Sequence, residues 1–397
     1  MQRQVHKRWG IYFHELSWVV ERHTYSSSNT RDPYLDLIFS MRKGSQMKRV
    51  CLFILVITVV SSSQCFPAGN SDLPCETCQL SFELQTFLYI YNSSPTSLDQ
   101  LSDKTLNFIR ESSELGAKYF TYAAPIESKR TQVKAGDHGV PVHVFIPAKG
   151  RQESDAKLPV VLFIHGGGWT LGSTATYGHV VRKIAETIPA IVVSPDYALA
   201  PEHPFPRALD DCYAVLQWIS QHADEYGGDA SNLIVAGDSG GGNLATVMAL
   251  KSKEEKGPKI SFQCLFYPAA NVSTIATDSA KCFGKGYILT NKAMVTFRSF
   301  YLPNPNDWIN PYASPLQAKD LTGMPPALIT TAGCDPLLSD GEAYSKRLSE
   351  AGAKVTYHME PNIFHGYLGF LNRNPIISPV AEKTLEYAAS VIRDHLQ

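Results

Sequence analysis

Five uninterrupted apolar runs, at residues 159–164, 190–194, 232–236, 260–267 and 326–331, punctuate the chain, and a shorter, more polar sixth follows at 355–359. Consecutive Val, Ile, Leu and Phe suit a strand covered on both faces, so the runs predict a parallel sheet. Ahead of them, residues 140–147 alternate in the manner of a half-buried strand. Helical periods separate the runs. Leu209, Cys212, Tyr213, Leu216 and Ile219 fall on one stripe, and further helices are predicted over 177–187, 243–253, 341–351 and 381–395. Strand, helix, strand repeated in this way predicts a mostly parallel, doubly wound α/β sheet flanked by helices, with ligands beyond the carboxyl ends of the strands.

Residues 66–125 lack strand alternation and carry helical candidates at 80–91 and 98–115, which predicts a helical cap or arm. The α/β catalytic domain is expected over 126–397, with a cap excursion near 271–315. Within 47–65, Met47-Lys48-Arg49 leads an apolar run at 50–60 and a small-residue tail, the pattern of a secretory signal. The run is about half the roughly 20 residues that a bilayer span needs, so no stable span is expected. Secretion or another extracytoplasmic location follows; attachment through an uncleaved signal is the alternative. Met47 reads as a second candidate initiator. Residues 1–46, basic and without period, are a presequence or a reading-frame artefact, and no function is assigned to them.

A net charge of -1 offers no field for nucleic acid, and the apolar fraction of 44% is that of a globular protein. A small neutral or apolar substrate is expected. Of eight cysteines, Cys75 and Cys78 are separated by two residues, where a disulfide is expected in an exported chain. A zinc site would need a second pair of that kind, which the sequence lacks. Cys212 and Cys264 read as buried thiols. Asn92-Ser93-Ser94 and Asn271-Val272-Ser273 match the glycosylation pattern.

The chemistry-bearing motifs stand at strand ends. Gly237-Asp238-Ser239-Gly240-Gly241 directly follows one buried run and opens a helix, the Gly-x-Ser-x-Gly nucleophile elbow. His165-Gly166-Gly167-Gly168-Trp169 follows another. Consecutive glycines let backbone N–H groups approach a tetrahedral oxyanion. The N–H of Gly240, with those of Gly167 and Gly168 or of Gly166 and Gly167, would make that hole. A serine nucleophile needs a base and an orienting carboxylate, and in this fold the acid precedes the histidine. Asp335, after the run at 326–331, and His365, after the last short strand, stand in that order behind Ser239.

From about residue 158 onward the chain resembles the hormone-sensitive-lipase family of α/β-hydrolases, which includes bacterial esterases and arylacetamide deacetylases. The likeness rests on 165–169, on Asp196-Tyr197-Ala198-Leu199-Ala200-Pro201-Glu202-His203-Pro204-Phe205-Pro206, on 237–241, on Asp335-Pro336-Leu337 and on His365-Gly366. It implies a cofactor-independent serine carboxylesterase acting on short- to medium-chain esters, with Ser239, Asp335 and His365 as its triad. A deacetylase or amidase of small acetylated molecules is the alternative. A non-catalytic receptor of the same fold is disfavoured, because such receptors usually lose the histidine. Gly240 stands where the family usually has alanine. Asp196 and Glu202 are expected to hold the loop behind the oxyanion strand. Trp169, Tyr177, Tyr287 and Phe370 are candidate pocket aromatics. Acyl and alcohol preference and oligomeric state are not legible.

Overall fold

The computed structural model describes residue 75 and residues 78–118, 124–148 and 157–397. The expected signal sequence and residues 1–46 lie outside the described residues. Eight strands form one sheet in the order β1-β2-β4-β3-β5-β6-β7-β8. They are β1 (Ile126–Ala135), β2 (His138–Pro147), β3 (Leu158–Ile164), β4 (Ile191–Pro195), β5 (Gly228–Asp238), β6 (Phe262–Phe266), β7 (Ala327–Cys334) and β8 (Val355–Phe364). β1 and β2 pair antiparallel, β2 pairs antiparallel with β4, and every pair from β4 through β8 is parallel.

Strand β1 escaped the sequence reading for a physical reason. As an edge strand it pairs only with β2 among the described residues, and along it only Val133 and Ala135 are buried, so charged and polar residues occupy the rest apart from Ile126. Strands β3 to β7 coincide with the five apolar runs because both faces are covered, β2 with the alternating stretch and the edge strand β8 with the shorter, more polar run. Val160, Leu162 and Ile164 face one side of the sheet, and Val161 and Phe163 face the other.

Helices α1 (Phe82–Asn92), α3 (Thr174–Thr187) and α9 (Ser378–Leu396) cover one face; α4 (Arg207–His222), α5 (Gly240–Glu255) and α8 (Leu338–Glu350) cover the other. The stripe Leu209, Cys212, Tyr213, Leu216 and Ile219 lies buried on α4, as its spacing predicts. Helix α3 begins three residues before the periodic signal, because Ser173 and Thr176 close a reciprocal capping box. Helix α2 (Leu106–Ala117) is shorter than the expected 98–115. A separate 3₁₀ turn occupies Leu98–Gln100, and Ser102 and Thr105 hydrogen-bond each other where the helix would have run through. The excursion after β6 contains α6 (Asp278–Phe283) and α7 (Asn291–Tyr301), each capped by a threonine side chain, Thr277 and Thr290. No helix among the described residues is long and apolar enough to cross a membrane.

Cys75 and Cys78 do not bond to each other. Cys75 bridges to Cys282 on α6, and Cys78 bridges to Cys334 at the end of β7. A local bridge across two residues would constrain little of the unfolded chain, whereas these partners lie 207 and 256 residues away. Cys212 and Cys264 are buried free thiols, as expected. Reduction is predicted to lower stability by about 2–5 kcal/mol per bridge. Urea unfolding with and without dithiothreitol measures this; coincident midpoints would mean the bridges contribute nothing to stability.

Candidate active site

The chain order places β3 between β4 and β5, so the crossovers on its two sides diverge and leave a crevice above its carboxyl end. The loops leaving β3 and β5 meet there. Ser239 is the turn between β5 and α5, with φ 56° and ψ −122°, a strained backbone for a residue with a side chain. Its N–H donates to the Phe266 carbonyl at 2.9 Å. A Cβ on Gly237 would collide with the backbone of Gly241, and one on Gly241 with the carbonyls of Ile164 and His165. Glycine is therefore required at both ends of the turn.

Asp335 leaves β7 just past a register shift between Ala332 and Cys334, which re-aims the chain before the acid. Its Oδ1 accepts from the Leu337 N–H at 2.8 Å, and its Oδ2 lies 2.7 Å from His365 Nδ1. His365 Nε2 lies 2.8 Å from Ser239 Oγ. The carboxylate can only accept, so Nδ1–H donates to it and Nε2 is left to accept the serine proton. Asp335 is wholly buried and His365 nearly so. The three side chains named from sequence thus form one hydrogen-bonded row able to carry out nucleophilic acyl transfer.

The glycine loop divides its labour. Asp238, fully buried, accepts the Gly166 N–H at 2.7 Å on Oδ1 and the Tyr177 hydroxyl at 3.0 Å on Oδ2. The Gly166 N–H is therefore committed, which removes Gly166 from the four expected oxyanion donors. Among the described residues, no protein acceptor meets the N–H groups of Gly167 and Gly168. Gly240 N is the first donor of α5 and has no intrahelical partner. A Cβ on Gly240 would sit 3.3 Å from Gly168 N and Trp169 N, so the family's usual alanine would press directly on this loop. Burial raises the Asp238 carboxyl to about 6, against hydrogen bonds from Tyr177 and Gly166 that favour its charge.

More distant groups hold the constellation. Arg110 on α2 donates to the Thr170 and Ala200 carbonyls and pairs with Glu202 at 2.7 Å, while Asp196 accepts from the Thr174 N–H at the start of α3. Asp196 and Glu202 thus brace the loop region, as expected. The N-terminal arm reaches both later triad positions. Cys78 bonds the residue before Asp335, Gln79 N–H donates to Asn362 Oδ1 three residues before His365, and Phe87 stacks on Phe364 immediately before it.

Above Ser239 and His365 lies a cavity of about 170 Å³, walled by Leu98, Val272, Ile288, Leu289, Met294 and Phe297. Trp169 and Tyr177 also line it, whereas Phe370 packs on Phe87 and Phe364, and Tyr287 on Phe283. Asn271 lines the cavity too, with its Oδ1 taken by Ser273, so a glycan there would fill the site. Tyr267, unforeseen from sequence, packs its ring edge-on to His365 and reaches Asp238 with its hydroxyl. Its apolar strand gave no signal that the hydroxyl had a partner. Asp340, also unforeseen, lines the cavity and accepts the Asn271 N–H at 2.9 Å.

A family model described as "alpha/beta hydrolase fold" matches residues 161–369, more than half of the chain. The chain belongs to the hormone-sensitive-lipase-like family of α/β-hydrolases. As a member of that family it is a carboxylic ester hydrolase. It is 41% identical over 249 residues to carboxylesterase NlhH of Mycobacterium tuberculosis, covering 61% of this chain and 75% of the relative. An arylesterase of Saccharolobus solfataricus is 31% identical over 289 residues, covering 72% of this chain and 92% of the relative. Among solved structures, a thermostable esterase from Pseudomonas putida superposes with a TM-score of 0.72 at 34% identity, covering 80% of this chain and 98% of that one.

Burial, reinforced by the nearby Asp335 charge, raises the Asp340 carboxyl to about 8. In the unfolded chain it ionises near pH 4, about 3.9. Between these values the folded form retains a proton that the unfolded form has lost, so the neutral carboxyl's contribution is complete below about pH 4 and gone above about pH 8. Asp340→Asn keeps the acceptor for Asn271 and removes the titration. The wild-type unfolding free energy, from urea titrations across this range, is therefore predicted to fall relative to Asp340→Asn as pH rises and then to level off. Parallel curves would contradict the assignment.

Proposed function

We propose that the chain is a serine carboxylesterase for small, short- to medium-chain esters, working through an acyl-enzyme intermediate. The observation that carries the reading is the unbroken row Asp335–His365–Ser239 at the floor of an apolar cavity. Ser239 Oγ attacks the ester carbonyl as His365 Nε2 takes its proton, and Asp335 holds the ring and stabilises the imidazolium. The oxygen that becomes negative is met by the N–H groups of Gly167, Gly168 and Gly240. Collapse breaks the C–O bond to the alcohol, which leaves with the proton from His365. Water, deprotonated by His365, then attacks the acyl-serine and releases the acid.

Cavity size supports the substrate class. About 150 Å³ of apolar space holds a benzene-sized molecule, so 170 Å³ suits acetyl to hexanoyl esters of small alcohols better than long fatty chains. The names of the relatives, a carboxylesterase and an arylesterase, agree with that class. Export is part of the proposal. Two long-range disulfides suit an oxidising compartment, and the signal pattern at 47–65 would direct the chain there.

The test is hydrolysis of p-nitrophenyl esters from acetate to palmitate by the wild-type chain and Ser239→Ala. Turnover is expected to peak between acetate and hexanoate and to fall by about 10⁴-fold or more in the variant. A maximum at palmitate would refute the size argument, and turnover surviving in Ser239→Ala would refute the nucleophile.

A further inference from the structure

The cavity wall carries one fixed positive charge. Among the described residues lining it, Arg298 is the only lysine or arginine, and it forms no ion pair among the described residues. It projects from α7 next to Phe297, whose ring a Cβ on Gly168 would strike. The guanidinium sits over the Trp308 ring, with Cζ 3.8 Å from its centroid, and Nη1 donates to the Val272 carbonyl at 3.1 Å. These two contacts hold the fork in place and use one of its five N–H groups. The rest of the edge has no protein acceptor among the described residues. Burial lowers its pKa somewhat, but an arginine stays charged throughout the working range.

Nothing else on the wall neutralises that charge. Asp340, the other carboxyl on the described wall besides Asp238, accepts backbone N–H groups and stands on α8. A cation held rigid at the edge of an apolar cavity, without a carboxylate of its own, is a site for one supplied by the substrate. A hydrocarbon chain gains nothing from it.

We propose that Arg298 is a specificity-determining residue that recognises an anionic group on the substrate, so that the preferred esters carry a carboxylate on their acyl or alcohol half. The inference rests on the esterase reading and narrows it. Half-esters of short dicarboxylic acids and acetyl esters of small hydroxy acids match both the cavity volume and the planar fork. Arg298 sits on the cap excursion rather than on the sheet, so the selectivity would belong to this chain's cap and not to the shared catalytic floor.

Two matched pairs test it in the full chain: p-nitrophenyl glutarate against p-nitrophenyl pentanoate for the acyl half, and 3-acetoxypropanoate against butyl acetate for the alcohol half. The readout is the anionic-to-neutral ratio of kcat/KM in wild type, Arg298→Gln and Arg298→Lys. In one of the pairs the ratio is expected to fall by about tenfold or more in Arg298→Gln, chiefly through KM, and to recover partly in Arg298→Lys. Equal losses on both members of each pair, or ratios that do not move, would overturn the proposal and leave Arg298 as a tie between α7 and Val272. Absence of turnover on all four esters by the wild type would instead sink the esterase reading, a result distinguishable because the neutral members fail as well.

Discussion

The site depends on one close approach, that of the turn leaving β5 to the loop leaving β3. Gly237 and Gly241 let the backbone of the turn pack against the carbonyls of Ile164 and His165 with no room for a Cβ, and this contact forces Ser239 into its strained conformation. The same approach sets the free N–H of Gly240 beside those of Gly167 and Gly168. Any residue that separated the two loops would undo the strained turn at Ser239 and move the free N–H groups of Gly167, Gly168 and Gly240 apart. Asp238 reinforces the contact by binding Gly166 from the neighbouring position, so the residue before the serine fastens the loop that faces it. Its burial disfavours its own charge, and the three donors around it offset that cost.

The histidine and its acid are held from a different quarter. They leave β7 and β8 at the far edge of the sheet, where β8 pairs on one side only among the described residues. The N-terminal arm supplies the missing support through a covalent bond next to Asp335, a hydrogen bond at Asn362 and a ring stack at Phe364. The Cys75–Cys282 bridge also ties the arm to α6 of the cap excursion. Arm, cap and acid loop therefore form one cross-linked body resting on an otherwise ordinary α/β sheet.

What was legible in the sequence follows from this division. Buried parallel strands announce themselves because both faces demand apolar residues, and the glycine motifs are visible because steric exclusion acts on consecutive positions. Ser239, Asp335 and His365 could be named from their order and their place after such strands. Strand β1 was silent because its exposed edge accepts charge, and the 3₁₀ turn at Leu98 was silent because side-chain hydrogen bonds rather than periodicity interrupt the helix. The disulfide pairing could not be read at all: Cys75 and Cys78 are neighbours in sequence, and only the fold brings Cys282 and Cys334 to them. The share of Gly166 in the oxyanion hole was likewise open, because which N–H remains free depends on where the Asp238 carboxylate points.

Electrostatics supplies the last step. The cavity is apolar, yet Asp238, Asp335, Asp340 and His365 lie in or beside it, and two of those carboxyls are pushed upward by burial. If all three acids were ionised, the developing oxyanion would meet strong repulsion in a low-dielectric site. Burial pushes Asp340 toward its neutral form, Asp238 is surrounded by donors, and Asp335 faces the histidine. The Asp335 carboxylate thus stands against His365 Nδ1, on the ring edge opposite the one that faces Ser239.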